Sequence, residues 1–492
     1  MSEKKSLKLN VVMNAILNMS AFIFPLISFP YISRVLLEDG TGKVNTATAA
    51  ISIFLMVAQL GIPTYGVRAC AKVRDDKRLL SKTAHELLII NLVMMVVSYA
   101  VLAVTIQMIP WMREERVLYL VCSLTIFFTT IGMEWLYKAL EQYSYITIRS
   151  LVFKVVSLVA MFALVHAKED YVIYGGITIL ASSASGAMNF VHARKYIYMR
   201  PMGGYEFKPH LKAVAVFFAM SCATQIYTHL DTLMLRAMTN DSMVGYYGAA
   251  VRIKQILVSL VTSLGMVLLP RASYYIKNKQ MAQFQTISRK ALGFTLLAAA
   301  PLTLYFTIYA RDGIYLISGK AFEGSVVPMQ LIMPTLLFIG LSTVTGIQIL
   351  VPMGREKSVL WSNICGAVVD VILNLILIPP YGAAGAAAAT SVAELVVTVF
   401  QIVVLWKDLK PAWAKIQYWK ILVGLGAATA ASLWVANLSF GSSMEPTLAS
   451  FLSLALSGCL FFGAYGLVLI ILRENLVWDI LGQILGKFRR KR

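Results

Sequence analysis

Apolar runs of about twenty residues, separated by short polar connections, dominate the chain. A hydrocarbon core about 30 Å thick takes roughly 20 apolar residues of helix to cross, so each run is read as a membrane span. About fourteen candidates result, beginning near Asn10, Val44, Thr83, Val117, Tyr143, Tyr171, Leu211, Met243, Ser288, Phe322, Ser358, Gly382, Trp419 and Thr447. In lipid every backbone polar group must be satisfied within the structure, and helices do this within one segment. The pattern therefore predicts an all-α integral membrane protein.

Lys and Arg orient the spans, because short cytoplasmic loops are enriched in both. With the N-terminus inside, the inner segments hold the clusters Arg68–Lys82, Arg194–Lys212, Arg271–Lys290, Lys407–Lys420 and Lys487–Arg492. The outer segments hold only Lys43, Arg113, Arg116, Lys168, Arg311 and Lys320. This bias favours fourteen helices with both ends cytoplasmic. The first apolar run is too long for a secretory signal and lacks a small-residue cleavage site, so it is read as an uncleaved span.

Composition narrows the class. Of 492 residues, 58% are hydrophobic and 14% charged. A soluble core stops growing beyond roughly 250–300 residues, so this apolar surface must face lipid. A formal charge of +20 would suggest nucleic acid in a soluble domain, but the basic residues sit in loops where topology accounts for them. No nucleic-acid partner is expected. Cys70, Cys122, Cys222, Cys365 and Cys459 show no CxxC spacing, and the five histidines no HExxH pairing. Neither a disulfide framework, a metal site nor a cofactor is expected. The outer loops are too short for a catalytic domain, so no catalytic residue is assigned.

Six cations lie within spans or at their outer ends: Arg34, Arg149, Lys154, Arg236, Arg252 and Lys254. A charge at membrane depth costs about 2.5–3.5 kcal/mol on insertion scales, so several together point to a wet interior that receives an anion. At about 100° per residue, Arg149 and Lys154 lie roughly 140° apart and Arg252 and Lys254 roughly 160° apart. One of each pair is expected to face the interior, the other to pair with an acid or snorkel. Arg34 and Arg236 suit a rim or gate, or simply a helix C-terminus. Asp231, Glu134, Glu394 and Asp370 are the candidates for ion or proton coupling, against the plainer reading of intramembrane salt bridges. His229, two residues before Asp231, is a proton shuttle or a structural hydrogen-bonder. Most aromatics read as interfacial belts.

A repeat is visible at a constant offset of 202 residues. Arg34 aligns with Arg236, Asp39 with Asp241, Ala47 with Ala249 and Ile51 with Ile253; slightly later, and off that exact register, Leu60-Gly61 resembles Leu264-Gly265. Six spans fit within that offset, which leaves both halves in the same orientation. The expected organisation is an N-terminal six-helix bundle over residues 1–200, a second over 201–407, a central cavity between them, and two extra helices with a basic tail over 408–492.

Ordered local motifs carry a family resemblance. Pro25-Leu-Ile-Ser-Phe-Pro-Tyr-Ile-Ser-Arg34, Gly61-Ile-Pro-Thr-Tyr-Gly-Val-Arg68, Glu134-Trp-Leu-Tyr-Lys-Ala-Leu-Glu141 and Tyr145-Ile-Thr-Ile-Arg149 stand in the first half. Tyr227-Thr-His-Leu-Asp231, Val244-Gly-Tyr-Tyr247, Leu269-Pro-Arg271, Gly346-Ile-Gln-Ile349, Asn374, Ile378-Pro-Pro-Tyr-Gly-Ala383 and Glu394 follow. Together they resemble the Wzx-type polysaccharide repeat-unit flippases of the multidrug/oligosaccharidyl-lipid/polysaccharide exporter superfamily, over most of the chain to about Gln401. Leu37 departs from that pattern, standing where the family has a glycine, as do Ala69-Cys70 and Arg236.

The resemblance implies a bacterial inner-membrane protein that turns undecaprenyl-diphosphate-linked oligosaccharide from the cytoplasmic to the outer leaflet, with membrane lipid, a polysaccharide polymerase and glycosyltransferases as further partners. The cations suit a diphosphate, Arg by bidentate contact and Lys as a point charge. Two other readings remain open. An ion-coupled multidrug exporter of the same superfamily should line its interior with acids, and a membrane-embedded glycan polymerase should show acid/base clusters and a large outer loop.

Overall fold

A computed structural model describes residues 7–263, 269–414, 416–437, 445–478 and 482, and over these the chain is helical with no strand. The basic run 487–492 and the Leu264-Gly265 part of the repeat lie outside the described residues. The backbone divides into two compact units, Met1–Gly245 and Tyr246–Arg492.

The first unit is built on α1 (Leu7–Gln59), which carries the first two predicted spans as one run broken at Leu37, where φ is 57° and ψ −169°. Pro25 and Pro30 lie inside its first half. Leu60 and Gly61 then turn through positive φ, and Pro63 opens α2 (Ile62–Lys72), since proline is tolerated where a helix N–H has no partner anyway. The Asp76 carboxylate accepts from the Arg78 and Leu79 amides at 2.8 and 3.1 Å, capping α3 (Lys77–Met108). There follow α4 (Pro110–Glu114), α5 (Arg116–Gly132), α6 (Glu134–Ala139), α7 (Tyr143–Leu164), α8 (Tyr171–Ser182), α9 (Gly186–Ala193) and α10 (Lys208–Met238).

One core joins Ile32, Leu36, Ala47 and Ile51 of α1 to Leu102, Tyr119, Ile126 and Met161. A second gathers Ile62, Leu80, Leu87, Trp135, Leu136, Ile197 and Val214. The expected boundary at residue 200 precedes α10, whereas the compact unit extends past it, because α10 packs along α1 and α2.

The second unit takes in most of α11 (Asp241–Ser263), α12 (Leu269–Lys277), α13 (Met281–Ile308), α14 (Ala310–Ser318), α15 (Val326–Ile332) and α16 (Thr335–Ser342). A π-helical turn, Thr343–Leu350, carries the Gly346-Ile-Gln-Ile349 motif. The hairpin of α17 (Glu356–Tyr381) and α18 (Ala383–Ala414) turns at Gly382, with φ 53°. A Cβ at Gly385 would meet Leu377 O at 2.1 Å; a small residue there lets the two backbones touch. The last hairpin, α19 (Tyr418–Ser432) and α20 (Pro446–Ile471), packs on α13 and α14 through Tyr305, Tyr309, Phe461 and Tyr465.

Helices occupy all fourteen predicted segments. By length and hydropathy, 10 stretches among the described residues qualify as spans, or 11 if the bent pair Lys320–Ile332 and Thr335–Leu350 counts as one. The difference from fourteen lies in α1, which passes with α2 as the single stretch Ile23–Lys72, and in α10 and α11, which are not among the qualifying stretches. Arg252 and Lys254 dilute the apolar content of α11.

Candidate anion site

Lys154 sits about three turns into α7, and its side chain is half-buried. Its ammonium donates to Ser20 Oγ on α1 at 2.8 Å, and that hydroxyl in turn donates to Leu17 O at 2.6 Å. A hydroxyl gives the cation a lone pair but no compensating charge. Among the described residues no carboxylate is within ion-pair distance of Lys154.

Arg149, five residues earlier, faces a different neighbourhood. It is buried, with Nη2 3.3 Å from Glu134 Oε2, while Lys138 Nζ lies 2.9 Å from Glu134 Oε1. Arg149 Nη1 also donates to Ser185 O at 3.5 Å, and its guanidinium lies 5.9 Å from the centre of the Tyr145 ring. One carboxylate thus serves two cations, leaving the triad a net positive charge. Glu134, a candidate for ion coupling, and Arg149, a candidate for substrate binding, stand here as partners.

The remaining candidates are distributed over both units. Arg34 donates back to Pro30 O of its own helix at 2.6 Å. Arg236 Nε lies 2.7 Å from Asp241 Oδ1, with its guanidinium 5.4 Å from the Trp111 ring centre. Asp231 is buried on α10. In the second unit Arg252 and Lys254 are partly buried and flank the buried Ile253.

Asp370 and Glu394, both buried, belong to the α17–α18 hairpin. Its antiparallel register is set by Gln401 donating to Ser362 Oγ at 3.0 Å, by Gly366 against Val397 and by Gly385 against Leu377. That register brings Asp370 and Glu394 to the same level on facing stripes. Thr390 Oγ1 lies 3.1 Å from Tyr247 OH, and Thr345 Oγ1 donates to Gln401 Oε1 at 2.6 Å, so a polar seam runs along this apolar hairpin.

Sequence reasoning missed the partners. Ser20 is one hydroxyl among many in apolar runs. Tyr145, named only as part of the motif ending at Arg149, stacks on His192 at 4.2 Å and on Tyr137 at 5.2 Å. Lys43, counted as a loop cation, pairs with Glu115 at 2.9 Å and Asp39 at 3.3 Å.

Such a fold, helical throughout its described length, crossing a membrane many times and holding cations within its spans, defines a multi-pass membrane transporter. The family whose pattern matches, over residues 7–275, is described as "Polysaccharide biosynthesis protein". Two proteins named "Putative O-antigen transporter", from Shigella dysenteriae and Escherichia coli (strain K12), are each 22% identical to this chain. The matches cover 80% and 81% of this chain and 99% and 96% of theirs. Among solved structures, "Lipid II flippase MurJ, inward closed conformation" superposes with a TM-score of 0.67 at 16% identity, over 92% of this chain and 99% of that one. The chain belongs to the polysaccharide biosynthesis protein family, in agreement with the Wzx-type resemblance carried by its motifs.

Proposed function

We propose that the protein flips undecaprenyl-diphosphate-linked oligosaccharide repeat units from the cytoplasmic to the outer leaflet of the bacterial inner membrane, with both termini cytoplasmic. Lys154 carries this reading: a cation inside a span, held by the Ser20 hydroxyl rather than a carboxylate, has no counter-charge among the described residues and is open to a diphosphate. Charge-assisted hydrogen bonds to phosphate are roughly twice as strong as neutral ones and stronger still away from water. Arg149, shared with Glu134, supplies further positive potential to the same unit. Arg252 and Lys254, in the second unit, are proposed as further substrate-binding residues, and Arg34 and Arg236 as rim residues.

Alternating access moves the diphosphate along these cations. Coupling to an ion is assigned to the buried carboxylates Asp231, Asp370 and Glu394, which a proton or a cation can neutralise in one state of the cycle. Polymerase and glycosyltransferases are the proposed neighbours, since they act on the same lipid-linked intermediate. An exporter of organic cations would place acids where Lys154 stands.

The test is transport in proteoliposomes of a fluorescent undecaprenyl-diphosphate oligosaccharide beside an organic-cation dye under a proton or sodium gradient. Flipping of the lipid without dye movement supports the proposal. Dye efflux without lipid flipping replaces it with the exporter reading.

A further inference from the structure

Where the stretch Lys168–Ala193 leaves the membrane, the end of α9 and the start of α7 form an open cavity of about 560 Å³. Its walls divide by chemistry. Met188 and Val191, 50% and 54% exposed, give it an apolar side open to the surroundings of the helix. Tyr145 and His192 form an aromatic wall, stacked at 4.2 Å with 20° between their planes. Tyr137 stacks behind them at 5.2 and 5.9 Å, and its hydroxyl donates to Asn189 O at 2.5 Å, which fixes the wall to α9. Arg194 and Lys195, both exposed and directly after the end of α9, complete the lining.

Each part selects part of a ligand. Apolar side chains on a spanning helix face acyl chains. Aromatic rings sit at the level of head groups, and two cations directly after the end of a span attract anionic lipid. A soluble anion would be drawn by Arg194 and Lys195 alone and would leave the Met188 and Val191 wall unused. A zwitterionic lipid would use the wall and gain little from the cations.

We infer that this cavity binds one anionic phospholipid, its phosphate on Arg194 and Lys195 and the first part of an acyl chain along Met188 and Val191. The site is on the first unit alone and does not depend on the identity of the transported glycan. It holds a lipid beside Tyr145, whose ring carries the Arg149 guanidinium, so occupancy steadies the packing of α7 against α9.

The test is native mass spectrometry of the detergent-purified full-length protein, titrated with phosphatidylglycerol and, separately, phosphatidylcholine. The wild type should retain phosphatidylglycerol in preference to phosphatidylcholine. The R194Q/K195Q variant should bind it about thirtyfold more weakly, from the usual contribution of two basic residues at a lipid surface. V191W, which fills the cavity from its exposed side, should lose the adduct while keeping both cations, and the two variants guard against misfolding of either one. Equal retention in the wild type and both variants overturns the proposal. So does equal weakening by K277Q/K279Q, a charge-matched pair in the second unit, and so does displacement of the lipid by millimolar inorganic phosphate, which would make the cavity a plain anion site.

Discussion

The ammonium of Lys154 on α7 lies 2.8 Å from Ser20 Oγ on α1, so a charge inside a span is satisfied by a group that cannot neutralise it. Stability and transport then pull in opposite directions at this residue. Lys154→Met removes a charge whose cost on insertion scales is about 2.5–3.5 kcal/mol at the bilayer centre, and a partly buried site retains a fraction of that. The variant should unfold about 1–2 kcal/mol later than the wild type in a thermal or denaturant assay in lipid nanodiscs, while its transport falls. Ser20→Ala, which leaves the ammonium without this acceptor, should unfold about 1 kcal/mol earlier.

Glu134 couples Arg149 to Lys138. The Arg149 side chain is 5% exposed and that of Glu134 45%, so the pair is screened on one side only and is worth less than a fully buried one. Glu134→Gln leaves the guanidinium without a counter-charge and should destabilise by about 1–2 kcal/mol. Adding Arg149→Gln should recover part of this, giving a coupling energy of about 1 kcal/mol in a double-mutant cycle. Strict additivity would show that the two charges do not interact.

Leu37 occupies a backbone region, φ 57° and ψ −169°, that is essentially reserved for glycine and costs a side-chain-bearing residue about 1–3 kcal/mol. The motif comparison had already marked it as standing where the family has glycine. Leu37→Gly should stabilise the protein by about 1 kcal/mol after allowance for the looser unfolded chain, read as a higher Tm. An unchanged or lower Tm would mean that Leu37, 37% exposed, gives back through contacts what its backbone loses.

Gly42 and Gly245 form a reciprocal contact in the first unit. A Cβ at Gly42 would fall 1.8 Å from Asp241 O, and one at Gly245 would fall 2.0 Å from Glu38 O. Both obstacles are backbone, which cannot swing aside. Gly42→Ala should therefore force the two segments apart and destabilise this arrangement by about 1–3 kcal/mol, detectable as faster disulfide trapping or proteolysis at the α10–α11 turn. The segments in contact are those aligned by the 202-residue repeat, whose Asp39 and Asp241 lie within them.

Much of this was legible in the chain. Span placement followed from apolar length, because lipid leaves helices as the structure for such runs, and every predicted start falls in a helix except Gly382, which is the turn between α17 and α18. The break at Leu37 was legible only as a departure from a family pattern, because hydropathy does not register a single positive φ. The charged candidates were found since ions are conspicuous in apolar runs, yet their roles depended on partners far away in sequence. Arg149 and Lys154 are alike in the chain and differ only because folding brings a carboxylate to one and a hydroxyl to the other. Pairing across helices also explains why His192 was not singled out and why Tyr145 was legible only as part of a motif: their stacking exists once α7 and α9 are brought together.

Flipping of a fluorescent undecaprenyl-diphosphate oligosaccharide by Lys154→Ala, in proteoliposomes matched to wild type for inserted protein, tests the account at its centre. Loss of a charge-assisted contact to the diphosphate, about 1.5–3 kcal/mol, should slow transport roughly 10- to 100-fold, with Ser20→Ala near the wild-type rate. Flipping at the wild-type rate by Lys154→Ala would contradict it, because the diphosphate would then cross without using the cation that the fold leaves uncompensated.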